Sequence, residues 1–307
     1  MAFTAKDVQT LREMTGVGMM DCKKALTETD GNLDKAVEFL REKGLAAAQK
    51  KAGRIAAEGM AYAAVIDGVG VVVEVNAETD FVAKNDKFVD FVNGVAATVA
   101  KEAPKDLEDL LGKAYLATGH TVQEEEQEKI LVIGEKIAVR RFARFAEGVH
   151  VPYIHAGGKI GVLVNMTVSA GLESNEKVLE AGKDAAMQIA ALNPRFLDKV
   201  EVDQATLDEE KKIMLAQMEE DPKMAAKPEK IKEGIVVGKL GKFFKENCLL
   251  QQEFVKDNTM SVEQYIAAVA KEAGGSITVD SFTRFEKGEG IEKKQEDFAA
   301  EIAKLAK

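Results

Sequence analysis

The stretch VGVVVEVNAETDFVAKNDKFVDFVNGVAATVA, residues 69–100, changes its apolar period once, across TDFVAKN (Thr79–Asn85), and that change decides the fold. Before it, Val71, Val73 and Val75 share one face of a strand, with Val72, Glu74 and Asn76 on the other, so one buried face is expected. After it, Phe88, Phe91, Val92, Val95, Ala96 and Val99 recur at helical spacing and predict an amphipathic helix. Upstream, Ala61–Ile66 reads as a partner strand, joined through Asp67-Gly68, a pair suited to a tight primed hairpin. The loop therefore stands at a strand-to-helix junction, where scaffolds hold out functional side chains. On the residues alone two readings stay open: an exposed loop, or Thr79 or Asp80 capping a helix that begins near Val82 with Phe81 folded back onto the core.

The same pattern recurs further on. Tyr62 and its hairpin reappear, 91 positions later, as Tyr153 and a Gly157-Gly158 hairpin ending in Val162, Val164 and Met166. Val178, Ala181, Ala185, Ala186 and Ile189 repeat the helix, and the closing strand Ile137–Phe145 repeats at Ile277–Phe285, 140 positions on. The mismatch of offsets places an insertion of about fifty residues in the second copy, within a charged stretch broken at Asp221-Pro222 through Pro228, which reads as a helical hairpin.

The fold class is thus α+β with antiparallel sheets. Residues 1–44 form a three-helix module stopped at Gly44, 45–58 a helical linker and 59–149 the first core half. The second half comprises 150–199 and 261–291, separated by the hairpin at 200–260, and 292–307 is a short C-terminal helical module. In the first module Thr4 and Asp7 suggest a capping box, and Met19 and Met20 read either as an adaptable surface patch or as core.

Composition narrows the function. A formal charge of −10 argues against nucleic acid as the main ligand. No apolar run reaches membrane-spanning length, and the N-terminal residues show neither a signal-peptide core nor a transit composition, so a cytoplasmic protein is expected. Cys22 and Cys248 fit no metal or redox spacing, and His120, His150 and His155 fit no ligand or nucleophile spacing. Gly157-Gly158-Lys159-Ile160-Gly161 lacks the phosphate-loop pattern. No catalytic residue, cofactor or metal is expected, and the chain reads as a binding protein, not an enzyme.

Five blocks, TGVGMMDCKKAL (15–26), EVNAETDFVAKN (74–85), IGEKIAVRR (133–141), HAGGKIGVLV (155–164) and RFEKGEGIEK (284–293), together resemble bacterial elongation factor Ts, in order and across essentially the whole chain. The presumed hairpin is the least similar stretch. The resemblance implies a first module like ubiquitin-associated domains, a coiled-coil protrusion, and guanine-nucleotide exchange on the GTPase elongation factor Tu. It also implies that Thr79, Asp80, Phe81 and Val82 enter the GTPase near its magnesium site, and that Val8, Met19, Met20, Lys51, Ile133, Gly134 and His155 are further partner contacts. From the residues alone Ile133 reads as a strand-entry core residue and His155 as a hairpin histidine. A homodimer is compatible with the sequence, and the alternative function is a non-exchanging adaptor or scaffold working through the first module.

Overall fold

In the computed structural model, residues 3–292 are described; the C-terminal helix expected from Asp297 onward lies outside them. Three helices open the chain: α1 (Ala5–Thr15), α2 (Met19–Glu28) and α3 (Leu33–Lys51). Thr4 and Asp7 cap α1 reciprocally, and Gly16 ends it in the left-handed region at φ 66°. Leu11, Cys22, Ala25, Leu26 and Ala36 fill the module's core. The stop expected at Gly44 is absent, and α3 runs on to Lys51. The reason is tertiary: a Cβ on Gly44 would lie 3.3 Å from the carbonyl oxygen of Gln127, so the glycine lets another helix approach closely.

The first core half is β1 (Glu58–Ile66), β2 (Val69–Ala77), α4 (Asp86–Glu102), α5 (Leu107–Gly112), α6 (Val122–Ile133) and β3 (Ile137–Phe145). Asp67 and Gly68 both take positive φ, 50° and 81°, as a primed two-residue turn requires. The strands order β1-β2-β3, all antiparallel. Val71, Val73 and Val75 pack on Phe88, Phe91, Val92 and Val95 of α4.

The second half repeats this with β4 (Val149–His155), β5 (Ile160–Val168), α7 (Glu176–Leu192) and, after the insertion, α11 (Val262–Ala273) and β8 (Ile277–Glu286), ordered β4-β5-β8. Even the irregularities repeat. β2 bulges between Glu74 and Val75 against β3, and β5 bulges between Asn165 and Met166 against β8, again 91 residues apart.

The two sheets pack face to face through Ala61, Ala63, Val72, Leu163 and Phe285. This corrects the expectation of a single buried face: Val71 to Ala77 are buried throughout, Glu74 included. Glu74 is held by Arg140 at 2.9 Å, Arg141 at 2.5 Å, Asn76 at 3.1 Å and, from beyond β8, the Gly288 N–H at 2.8 Å. Burial alone would push its carboxyl up; the Gly288, Arg141, Asn76 and Arg140 hydrogen bonds outweigh that and hold it below the ordinary value. A side chain at Gly288 would meet the Ala57 carbonyl oxygen at 2.1 Å, so only glycine brings that N–H to the carboxylate.

The insertion is a pair of long helices, α8 (Gln204–Glu220) and α10 (Glu229–Asn247), with the short α9 (Pro222–Ala225) between them. Met214, Met218, Val236 and Phe243 form its own core. It is shorter than the expected 200–260, because Leu249, Phe254 and the small hairpin β6 (Glu253–Phe254) and β7 (Asp257–Ser261) belong to the second half, whose core takes Leu249 and Phe254. No helix among the described residues is long and apolar enough to cross a membrane.

Candidate functional site

The loop after β2 resolves the two readings left open by the sequence. Phe81 is 81% exposed, and the core does not take it. Helix α4 is capped by neither Thr79 nor Asp80. A short 3-10 turn, Val82–Lys84, comes first, and Asn85 then caps α4 by accepting from the Lys87 N–H at 2.9 Å. Val82 is buried in the first half's core and anchors the loop's downstream end.

The upstream end is tied to the turn between α6 and β3. Glu135 accepts from the Thr79 N–H at 3.0 Å and from its hydroxyl at 2.8 Å. In return Glu78 accepts from the Lys136 N–H at 2.6 Å, and also holds Arg54. Lys136 in turn donates to the Ala52 and Arg54 carbonyls at 2.6 and 2.8 Å, closing α3's exit onto the same point. Between these pins stand Asp80 and Phe81, both exposed.

Ile133 is not at a strand entry; it is the last residue of α6, partly buried against the first core. Gly134 follows at φ 89° with open space around it, so the turn needs the glycine's conformation and not its small size. The structure thus brings Ile133 and Gly134 beside Thr79 through a contact 56 residues apart in sequence. Lys51 reaches the same helix, its Nζ lying 3.5 Å from the Ile130 carbonyl. The first module is joined there too: Lys87 at the start of α4 donates to the Gly16 carbonyl at 3.0 Å, just ahead of Met19.

Met19 and Met20 are 53% and 75% exposed, which favours the surface-patch reading, whereas Val8 is buried beneath, in the module's core. His155 is exposed at the end of β4, its Nδ1 3.2 Å from the Tyr153 hydroxyl. No hydrogen bond among the described residues connects it with the loop.

One grouping escaped the sequence. His120, Glu125 and Glu128 come within ligand-sharing distance of one another. Within it Glu125 is already engaged, by Lys129 at 3.1 Å and by the His120 Nδ1 at 3.2 Å, and Arg41 abuts His120. Glu78 and Glu135 escaped the sequence as well, because their partners lie across the fold; only their place inside the blocks 74–85 and 133–141 that carry the resemblance marked them.

The site is thus an exposed aromatic tip held at Thr79 on one side and at Val82 on the other. Comparison with known proteins gives the family. The family described as "Elongation factor TS" matches residues 78–289. Proteins called "Elongation factor Ts" are similar over their whole length: that of Syntrophotalea carbinolica is 48% identical, covering 100% of both chains. Those of Clostridium perfringens and Trichlorobacter lovleyi are each 50% identical, covering 98% of both chains and 100% and 99% respectively. The chain belongs to the elongation factor Ts family, and so to the machinery of protein biosynthesis.

Proposed function

We propose that this protein is the guanine-nucleotide exchange factor of elongation factor Tu, and that the loop Thr79–Val82 performs the exchange. The observation that carries this is Phe81: a phenylalanine 81% exposed on a loop fixed at Thr79 and Val82. Leaving such a ring in water is unfavourable, and fixing it there is explained by a partner that buries it.

Exchange requires no acid, base or nucleophile. A factor that binds the nucleotide-free GTPase more tightly than the nucleotide-bound form weakens nucleotide binding by the same ratio. Phe81 wedges into an apolar pocket of the GTPase while Asp80 disturbs the groups orienting magnesium. Losing that ion removes charge neutralisation from the phosphates, and GDP leaves. Met19 and Met20, with Val8 supporting them, Lys51, Ile133, Gly134 and His155 add contacts around the wedge. The factor stays bound until GTP enters.

Release of a fluorescent GDP analogue from elongation factor Tu, chased with excess unlabelled nucleotide, tests this. Seating the ring gains about 2 kcal/mol, so Phe81→Ala should lower the maximal stimulated rate about 30-fold with the fold intact. Equal stimulation by both proteins would overturn the wedge. No stimulation by the native chain would leave an adaptor working through the exposed methionines.

A further inference from the structure

The exposed tip of the loop covers only two residues, and what fixes them is unusual. Asp80 and Phe81 follow the last residue of β2 by three and four positions, past the end of the sheet's hydrogen bonding. At Thr79 the backbone N–H and the hydroxyl both go to one carboxylate, that of Glu135, at 3.0 and 2.8 Å. The neighbouring pair runs the other way, Glu78 accepting from the Lys136 N–H. Two adjacent residues of each segment therefore exchange side-chain-to-backbone bonds, a small clasp just beyond the last β2–β3 pair, Ala77 with Ile137.

We infer that Glu135 is the positioning residue of the presenting loop: it touches no ligand itself, and acts by holding Thr79 so that Asp80 and Phe81 are ordered before a partner arrives. This rests on the exchange reading above. A carboxylate suits the site best: it accepts from both Thr79 donors with full charge assistance, whereas an amide in its place would accept from the N–H with its oxygen and donate its NH2 to the hydroxyl, making two neutral bonds. Charge-assisted bonds of this kind are also shorter and stronger than neutral ones.

The consequence is kinetic. An ordered tip meets its pocket without losing conformational freedom at that moment, so the clasp sets how readily the complex forms. Once the complex is formed, Phe81 does the same work whether or not Glu135 is present. Loss of Glu135 should therefore raise the half-saturating concentration of this protein about tenfold while leaving the maximal GDP-release rate near the native value.

The experiment titrates full-length native protein, Glu135→Ala, Glu135→Gln and Phe81→Ala against elongation factor Tu carrying the fluorescent nucleotide. Amide hydrogen exchange at Thr79 and at Val73 of β2 is followed in the free proteins. The expected result is a tenfold shift in half-saturation for Glu135→Ala, an intermediate shift for Glu135→Gln, faster exchange at Thr79 and unchanged protection at Val73. Unchanged half-saturation with faster Thr79 exchange would overturn the inference, because the loop would have been loosened without effect. A fall in maximal rate at native half-saturation would also overturn it, making Glu135 a direct contact. The Phe81→Ala arm tests the underlying reading separately: if it stimulates like the native chain, the loop is not the exchange element, and the positioning role falls with it.

Discussion

Glu126→Gln should make this protein more stable at neutral pH, by an amount that grows as the pH rises. Glu126 lies on α6, and its Oε2 accepts from the Val139 N–H at 2.7 Å, which ties α6 to the start of β3 around the Gly134 turn. Burial pushes its carboxyl up from an ordinary 4.5 to about 7, with the Val139 N–H and the Lys136 charge pulling weakly the other way. The folded state thus holds this proton more tightly than the unfolded chain. The stabilisation is complete below about pH 4.5 and is lost as the pH rises through about 7.

At about 1.4 kcal/mol per pH unit the full loss is about 3 kcal/mol, of which about 2 kcal/mol falls between pH 5 and pH 8 after allowing for partial access of solvent. Glutamine keeps the shape and the acceptor for Val139 but carries no charge. Urea unfolding followed by circular dichroism at pH 5, 6, 7 and 8, with Val139 amide exchange as a local probe, measures the difference between the two proteins. That difference should widen by about 2 kcal/mol across the range. A constant difference would show that Glu126 ionises normally in the fold, and would refute the argument from burial.

Three further outcomes follow from the geometry. Glu74→Ala leaves the Arg140 and Arg141 guanidiniums and the Gly288 N–H without their common acceptor, and thermal unfolding should report a loss of about 3 kcal/mol. Gly94→Ala places a methyl group 1.9 Å from the Tyr115 hydroxyl oxygen, so the ring that stacks on Phe91 must shift; the helix-propensity gain is outweighed, and unfolding should show a net loss of about 2 kcal/mol. Met20→Ser should weaken the complex with elongation factor Tu about tenfold in a binding titration, without moving the unfolding of the first module.

Where the determinants were local, the sequence displayed them. Asp67-Gly68 announced its turn, the valine and phenylalanine periods announced β2 and α4, and the double offset of 91 and 140 announced both the repeat and its insertion. What stayed hidden was set by partners distant along the chain. Glu74 looked solvent-facing because nothing nearby in sequence says that a second sheet covers it. Gly44 looked like a helix stop because its real constraint is the backbone of α6. Phe81 could be read either way, since the ties that hold it outward come from Glu135, 56 residues beyond Thr79. The resemblance singled out this loop, and the structure shows how the loop is held.

The base of the helical insertion carries a different consequence. Phe196 and Cys248 meet as a parallel bridge, and the Arg195 and Phe196 N–H groups donate to the Asn247 carbonyl while Leu249 and Leu250 donate back to the Phe196 and Leu197 carbonyls. The two stems enter and leave side by side, stitched together ahead of α8 on one side and at and just beyond the last residue of α10 on the other. The backbone bonds that close the second half at this point run between the stems themselves and do not pass through the hairpin.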